Sequence, residues 1–212
     1  MSRSLILAAA AGLFASSVAF AAEPAPYLGA HLGTNLLDHW PARVDFGGVT
    51  ASGEAALDSG LHGGLMLGRQ TEHARFEVEY QQGAIELNSL KLGPLNRSAD
   101  GTGHYDAVTV NAYRTHDFNE QWSAFAGAGI GWGKVRMPSG RLEGCECFAS
   151  ASESGLVYQG RIGVEYRLAR AHSAFAQYSL LRLPGASGGG TPQVAYEDRT
   201  IRSVTVGYRM LF

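Results

Sequence analysis

The residues Thr200-Ile201-Arg202-Ser203-Val204-Thr205-Val206-Gly207-Tyr208-Arg209-Met210-Leu211-Phe212 run to the last position of the sequence. Counted back from Phe212 in steps of two, Met210, Tyr208, Val206 and Val204 are apolar or aromatic. Arg209, Gly207, Thr205 and Ser203 between them are small or polar, and only Leu211 breaks the rule. A period of two makes a strand with two unlike faces. Such a strand is either an amphipathic edge of a soluble sheet or the wall of a transmembrane barrel, whose lipid face is apolar with aromatics at the water boundary. The bare Phe212 at its end favours the barrel, because a soluble sheet has no need of it there.

The opposite terminus points to export. Arg3 supplies a positive charge, residues 5–18 form an apolar run, and Ala19-Phe20-Ala21 places small residues at the cleavage-determining positions. This reads as a secretory signal peptide over residues 1–21, cut after Ala21, leaving one domain over 22–212. The run is too short for the ~20 residues of a membrane-spanning helix, and no other apolar run of that length follows. A net charge of -2 argues against nucleic acid as a partner. The 28 Gly sit inside alternating segments, which disfavours disorder.

The alternation repeats along the chain. Strands are expected at 27–36, 57–69, 74–87, 104–118, 122–135, 155–168, 173–183 and 200–212. Short turns at 70–73, 117–121 and 169–172 alternate with long polar or Gly-rich loops at 38–56, 88–103, 136–154 and 184–197. Eight strands with short turns on one side and long loops on the other make an antiparallel up-and-down transmembrane barrel. A soluble lipocalin-like barrel would be apolar inside and polar outside.

Phe76, Val78 and Tyr80 share one face of the third strand, opposite Arg75, Glu77, Glu79 and Gln81. The sixth strand sets Tyr158, Ile162, Val164, Tyr166 and Leu168 opposite Gln159, Arg161, Glu165 and Arg167. A charge facing lipid at the midplane costs roughly 2–4 kcal/mol, so these polar faces, together with Arg209, are assigned to the interior. Eight strands leave an interior just wide enough for side chains to fill. A plugged lumen with mutually paired charges is therefore expected, and a small gated pore is the alternative. Gly127, Gly129, Gly131 and Gly133 line the inner face of the fifth strand, where close packing or curvature demands them.

The stretches Ala124-Phe125-Ala126-Gly127-Ala128-Gly129-Ile130-Gly131, Gly160-Arg161-Ile162-Gly163-Val164-Glu165-Tyr166-Arg167 and Val206 to Phe212 resemble the small eight-stranded outer-membrane barrels. These are the OmpX/OmpA-type β-barrel domain and the opacity-like surface proteins. The resemblance covers essentially all of 22–212 and implies an integral outer-membrane location amid lipid and lipopolysaccharide. It further implies that Phe212, Met210 and Tyr208 form a signal read by the assembly machinery. Members of these families are adhesins, complement-evasion factors or wall tethers, so the fold does not fix the function. The expectation is a surface protein whose long loops contact a host or surface ligand. With Phe212 as the end, no wall-binding domain is expected.

Some barrels of this size are lipid A deacylases or acyltransferases, which makes an enzyme the second alternative. The deacylase type carries His and Ser two apart on one strand face. Here His172 and Ser173 are adjacent and so face opposite ways, and His104 lies at the extracellular mouth followed by Tyr105 and Asp106. Neither makes a nucleophile and base pair. No catalytic residue, cofactor or metal ligand set is assigned. Cys145 and Cys147 are the only cysteines, and in an exported protein they are a candidate intraloop disulfide, with intermolecular pairing, free thiols and metal binding as alternatives.

Overall fold

The computed structural model describes residues 24–37, 39–142, 145–148, 150–188 and 193–212, with backbone only at 95, 97, 99–100, 140–142 and 145–148. The expected signal peptide lies outside the described residues, as do the side chains of Cys145 and Cys147. The described residues hold fourteen strands and no helix. In order they are β1 Ala25–Leu36, β2 His39–Asp45, β3 Thr50–Asp58, β4 Leu61–Gln70, β5 Ala74–Leu92, β6 Leu95–Asp117 and β7 Trp122–Met137. There follow β8 Gly140–Leu142, β9 Cys145–Phe148, β10 Ala151–Ala169, β11 His172–Leu183, β12 Ser187–Gly188, β13 Gln193–Tyr196 and β14 Arg199–Leu211.

Eight of these strands form a closed ring in the order β1-β4-β5-β6-β7-β10-β11-β14, every pair antiparallel. β14 closes the ring on β1, with Leu28 opposite Met210, Ala30 opposite Tyr208 and Leu32 opposite Val206. Closure pairs the wall from strand to strand and leaves no edge, the condition for crossing lipid with strands.

The faces are inverted relative to a soluble protein. Val206 is 61% exposed and Leu32 60%, while Arg209 is 2% exposed and Glu79 0%. Leu65, Ile130, Trp132 and Ile162 join the outward apolar wall. Ring pairs Trp122–Tyr166 and His172–Tyr208 mark its lower edge, beside the short turns.

The interior glycines make room for rings. Phe175 lies against Gly207, Phe125 against Gly163, Tyr113 against Gly127 and Tyr105 against Gly83, each the directly opposed residue on the next strand. A Cβ at Gly68 would stand 2.5 Å from Tyr27, and one at Gly133 2.7 Å from Val157. Gly163→Val is expected to cost about 1–3 kcal/mol by overpacking against Phe125. Gly160, whose outward Cβ would meet nothing within 4 Å, should accept Ala with little change. Urea unfolding of the two folded variants checks this, and equal midpoints would contradict the seating of the ring.

Two expected loops are not loops. Residues 38–56 hold the hairpin β2–β3, and 88–103 lie in the β5–β6 hairpin, which turns at Gly93-Pro94. Gly93 has φ 57°, as the first central residue of a type II′ turn requires. The β2–β3 turn uses Gly47 and Gly48 at φ 84° and 123°, and both backbone N–H groups donate to Asp45 Oδ1, at 2.8 and 3.2 Å. Those bonds, Gly48 first, hold the Asp45 carboxyl below its usual range. Short strands also occupy parts of 136–154 and 184–197, namely β8–β9 and β12–β13. β3 continues along β5, β2 pairs with β3, and β13 with β2, so the wall rises well past the membrane. The cause is apolar burial: Trp40, Val44, Leu57, Leu90, Leu92 and Val194 alternate inward with polar residues outside.

Candidate functional site: a charged lumen beneath an extracellular rim

The strand parity that sends leucines outward sends the polar residues of β5, β6, β10 and β14 inward, where they meet in tiers. The lowest tier joins Arg75, Glu165 and Arg209. Arg75 Nη2 donates to Glu165 Oε2 at 2.6 Å, Arg209 Nη1 donates to the same oxygen, and Ser173 Oγ donates to Oε1 at 2.5 Å. The guanidiniums also lie over rings, Arg75 5.2 Å from the Phe125 centroid and Arg209 4.9 Å from Phe175. Cation–π contact of this kind is stronger when desolvated.

The middle tier centres on Arg161. Its Nη2 is 2.6 Å from Glu79 Oε2 and its Nη1 3.7 Å from Glu77 Oε1. Glu77 accepts from Tyr27 and Tyr113, each at 2.7 Å, while Glu79 contacts His31 Nε2 at 2.6 Å and accepts from Gln159 at 3.2 Å. Asn111 Nδ2 bridges both carboxylates at 3.3 and 3.2 Å. Above this, Asn35 Oδ1 accepts from Tyr105 and Ser203 at 3.1 and 3.0 Å, and His62 Nε2 meets Thr205 Oγ1 at 2.9 Å.

The interior changes character at Tyr105. From there upward it is an apolar cluster built on Trp40, Ile85, Leu90, Val135, Leu183 and Ile201, all 0% exposed. Trp40 Nε1 donates to Glu197 O at 2.7 Å, and its ring packs edge-on against Tyr196. Burial there pushes the Tyr196 hydroxyl up to about 12.

Of the charges assigned to the lumen, Arg75, Glu77, Glu79, Arg161, Glu165 and Arg209 are buried, three cations against three anions. Arg167 is the correction. It has the inward parity but sits two residues from the end of β10, exposed at the periplasmic mouth, where its Nη1 donates to Glu120 O at 2.8 Å. Water reaches it there, so no lumenal partner is needed. His31, Asn35, Thr109, Asn111 and Tyr113 also turn inward and join these networks; sequence reasoning did not assign them, because their partners depend on register. Phe212, Met210 and Tyr208 face outward, whereas Leu211 packs inward near Tyr27 and Phe175. His172 and Ser173 diverge as expected, His172 Nδ1 to the Tyr208 hydroxyl outside and Ser173 to Glu165 inside. His104 is exposed on the outer wall. Among the described residues no cluster of three or more His, Cys, Asp and Glu is placed to hold a metal.

Residues 5–209 match the family described as outer membrane protein beta-barrel domain. The chain belongs to that family. It is integral to the outer membrane, its apolar wall against lipid and lipopolysaccharide. The crystal structure of Neisserial surface protein A (NspA) superposes with a TM-score of 0.52 at 14% identity, covering 88% of this chain and 97% of that one. The outer membrane protein AlkL, whose structure was determined in lipid bilayers, gives 0.50 at 13% identity over 93% of this chain and 95% of its own. At these identities the likeness is one of fold. No curated protein matches this chain closely in sequence.

Proposed function

We propose that this barrel is a non-conducting scaffold that holds a stiff extracellular rim for contact with surface or host macromolecules, and that it carries no catalytic centre. One observation supports the reading: buried, hydrogen-bonded polar side chains line the interior at the level of the membrane, and a buried apolar cluster continues it into the extracellular hairpins. A rim supported by an apolar core presents its outer residues in fixed positions, which lowers the ordering cost of binding. NspA, similar in fold, is by its name a surface protein. The test is capture of matrix and serum proteins by whole cells bearing the chain. Capture is expected, and it should disappear when the tips at 46–49 and 93–94 are exchanged for other turns. Capture indifferent to the tips, or lipid A that loses an acyl chain only when the protein is present, contradicts the scaffold role.

The outward end of β14 fits the role of an assembly signal. Phe212→Ser is expected to lower the amount of protein in the outer membrane far more than Leu211→Ser, because Phe212 is 67% exposed on the apolar wall and Leu211 is turned inward. Equal losses, scored by immunoblot of membrane fractions, would contradict it.

A further inference from the structure

The lipid-facing wall is not uniformly convex. A groove of about 930 Å³ crosses it in the lower half of the barrel, over β6, β7, β10 and β11. Its floor is Ala124 and Ala126, its apolar flank is Ile162 and Val164, and its other flank is Arg114 and His116. The register explains the shape: Arg114 opposes Ala126, which opposes Ile162, and His116 opposes Ala124, which opposes Val164. A long side chain on each side of a strand of alanines leaves a trough between them.

Arg114 is the anomaly. It points outward three residues before β6 ends at Asp117, flanked by Ala74 and Ala126 on the neighbouring strands. No acidic side chain pairs with it among the described residues, where the periplasmic acid Glu72 lies 3.8 Å from His73. His116 packs edge-on against Phe118. One outward step below Ala124 and Val164, the Trp122–Tyr166 ring pair marks the membrane boundary. Arg114, level with Ala126 and two outward steps above that boundary, is rooted in the lower part of the apolar wall, and its long stem snorkels down to bring the guanidinium to the headgroup layer, where an arginine is tolerated. A guanidinium there is matched by a phosphate, which it binds through two parallel N–H···O bonds.

We propose that the groove is a specific binding site for a glycerophospholipid of the periplasmic leaflet, with its phosphate on Arg114 and an acyl chain along Ala124 and Ala126. Depth excludes lipopolysaccharide as the occupant, since the site lies at the end of the barrel carrying the short turns. The site stands apart from the rim and does not depend on the proposed scaffold role. Native mass spectrometry of the full barrel, released from nanodiscs of phosphatidylethanolamine and phosphatidylglycerol, tests it. The wild type is expected to retain one phospholipid. Arg114→Gln removes the cation and should lower occupancy about ten-fold, the loss of one charge-assisted contact; Ala126→Phe fills the trough and should lower occupancy as well. Leu32→Phe, on the wall away from the groove, should leave occupancy unchanged. Heat-modifiable migration in SDS confirms that each variant is folded. No retained lipid, or the same retention in all four proteins, would reduce the groove to ordinary annular contact and overturn the proposal.

Discussion

Arg161→Ala is expected to destabilise the barrel by about 3–5 kcal/mol, because it strands two carboxylates where water does not reach. Glu77 and Glu79 are both buried, and Arg161 is the only cation that pairs with them among the described residues, apart from His31 if protonated. Glu79→Ala should cost less, because Arg161 keeps Glu77 as a partner. The triple change Arg161→Met with Glu77→Gln and Glu79→Gln should recover much of the loss, since replacing a buried ionic group by neutral groups of similar size is often close to neutral. Urea titration of folded protein in lipid, followed by tryptophan fluorescence, reads these differences. A single variant with wild-type stability would mean that water fills the middle of the lumen.

Trp40→Ala should act elsewhere. It removes the largest fully buried side chain of the extracellular half, together with its bond to Glu197 O. Truncating a buried Trp costs about 3–5 kcal/mol. That cost falls on the β2–β3 and β13 segments that pack on Trp40, not on the ring below, so the response is local unfolding of the rim. Trypsin added to intact cells should cleave at Arg43 in the variant far faster than in the wild type, while the remainder keeps its heat-modifiable migration in SDS. Equal resistance to trypsin would show that the rim stands without the apolar core.

The eight membrane strands were legible because lipid imposes a strict period of two on every one of them. β5 shows the limit of that reading. Its parity sends Arg75, Glu77 and Glu79 inward, yet Glu79 meets Arg161 from β10 and Arg75 meets Glu165, partners fixed by a register that no single strand encodes. Arg167 misled because parity carries no information about depth. The rim was hidden for a different reason. Outward His39, Pro41, Arg43 and Asp45 give 38–56 a polar appearance, while inward Trp40, Ala42 and Val44 bury their side chains against strands far away in sequence. A short apolar alternation between polar residues becomes a strand only when something covers it.

The groove at Arg114 was not legible at all. An arginine at an outward position reads as a misfit, and the alanines beside it become a trough only through the alignment of β6, β7 and β10.

The most direct test of the central claim is single-channel recording of the purified barrel in planar bilayers. With three arginines and three glutamates locked together in the lumen and an apolar cluster above them, the expected trace shows no steady open level at any applied voltage. Stable, ohmic open currents that Arg161→Ala enlarges would show a water-filled pore and contradict the account.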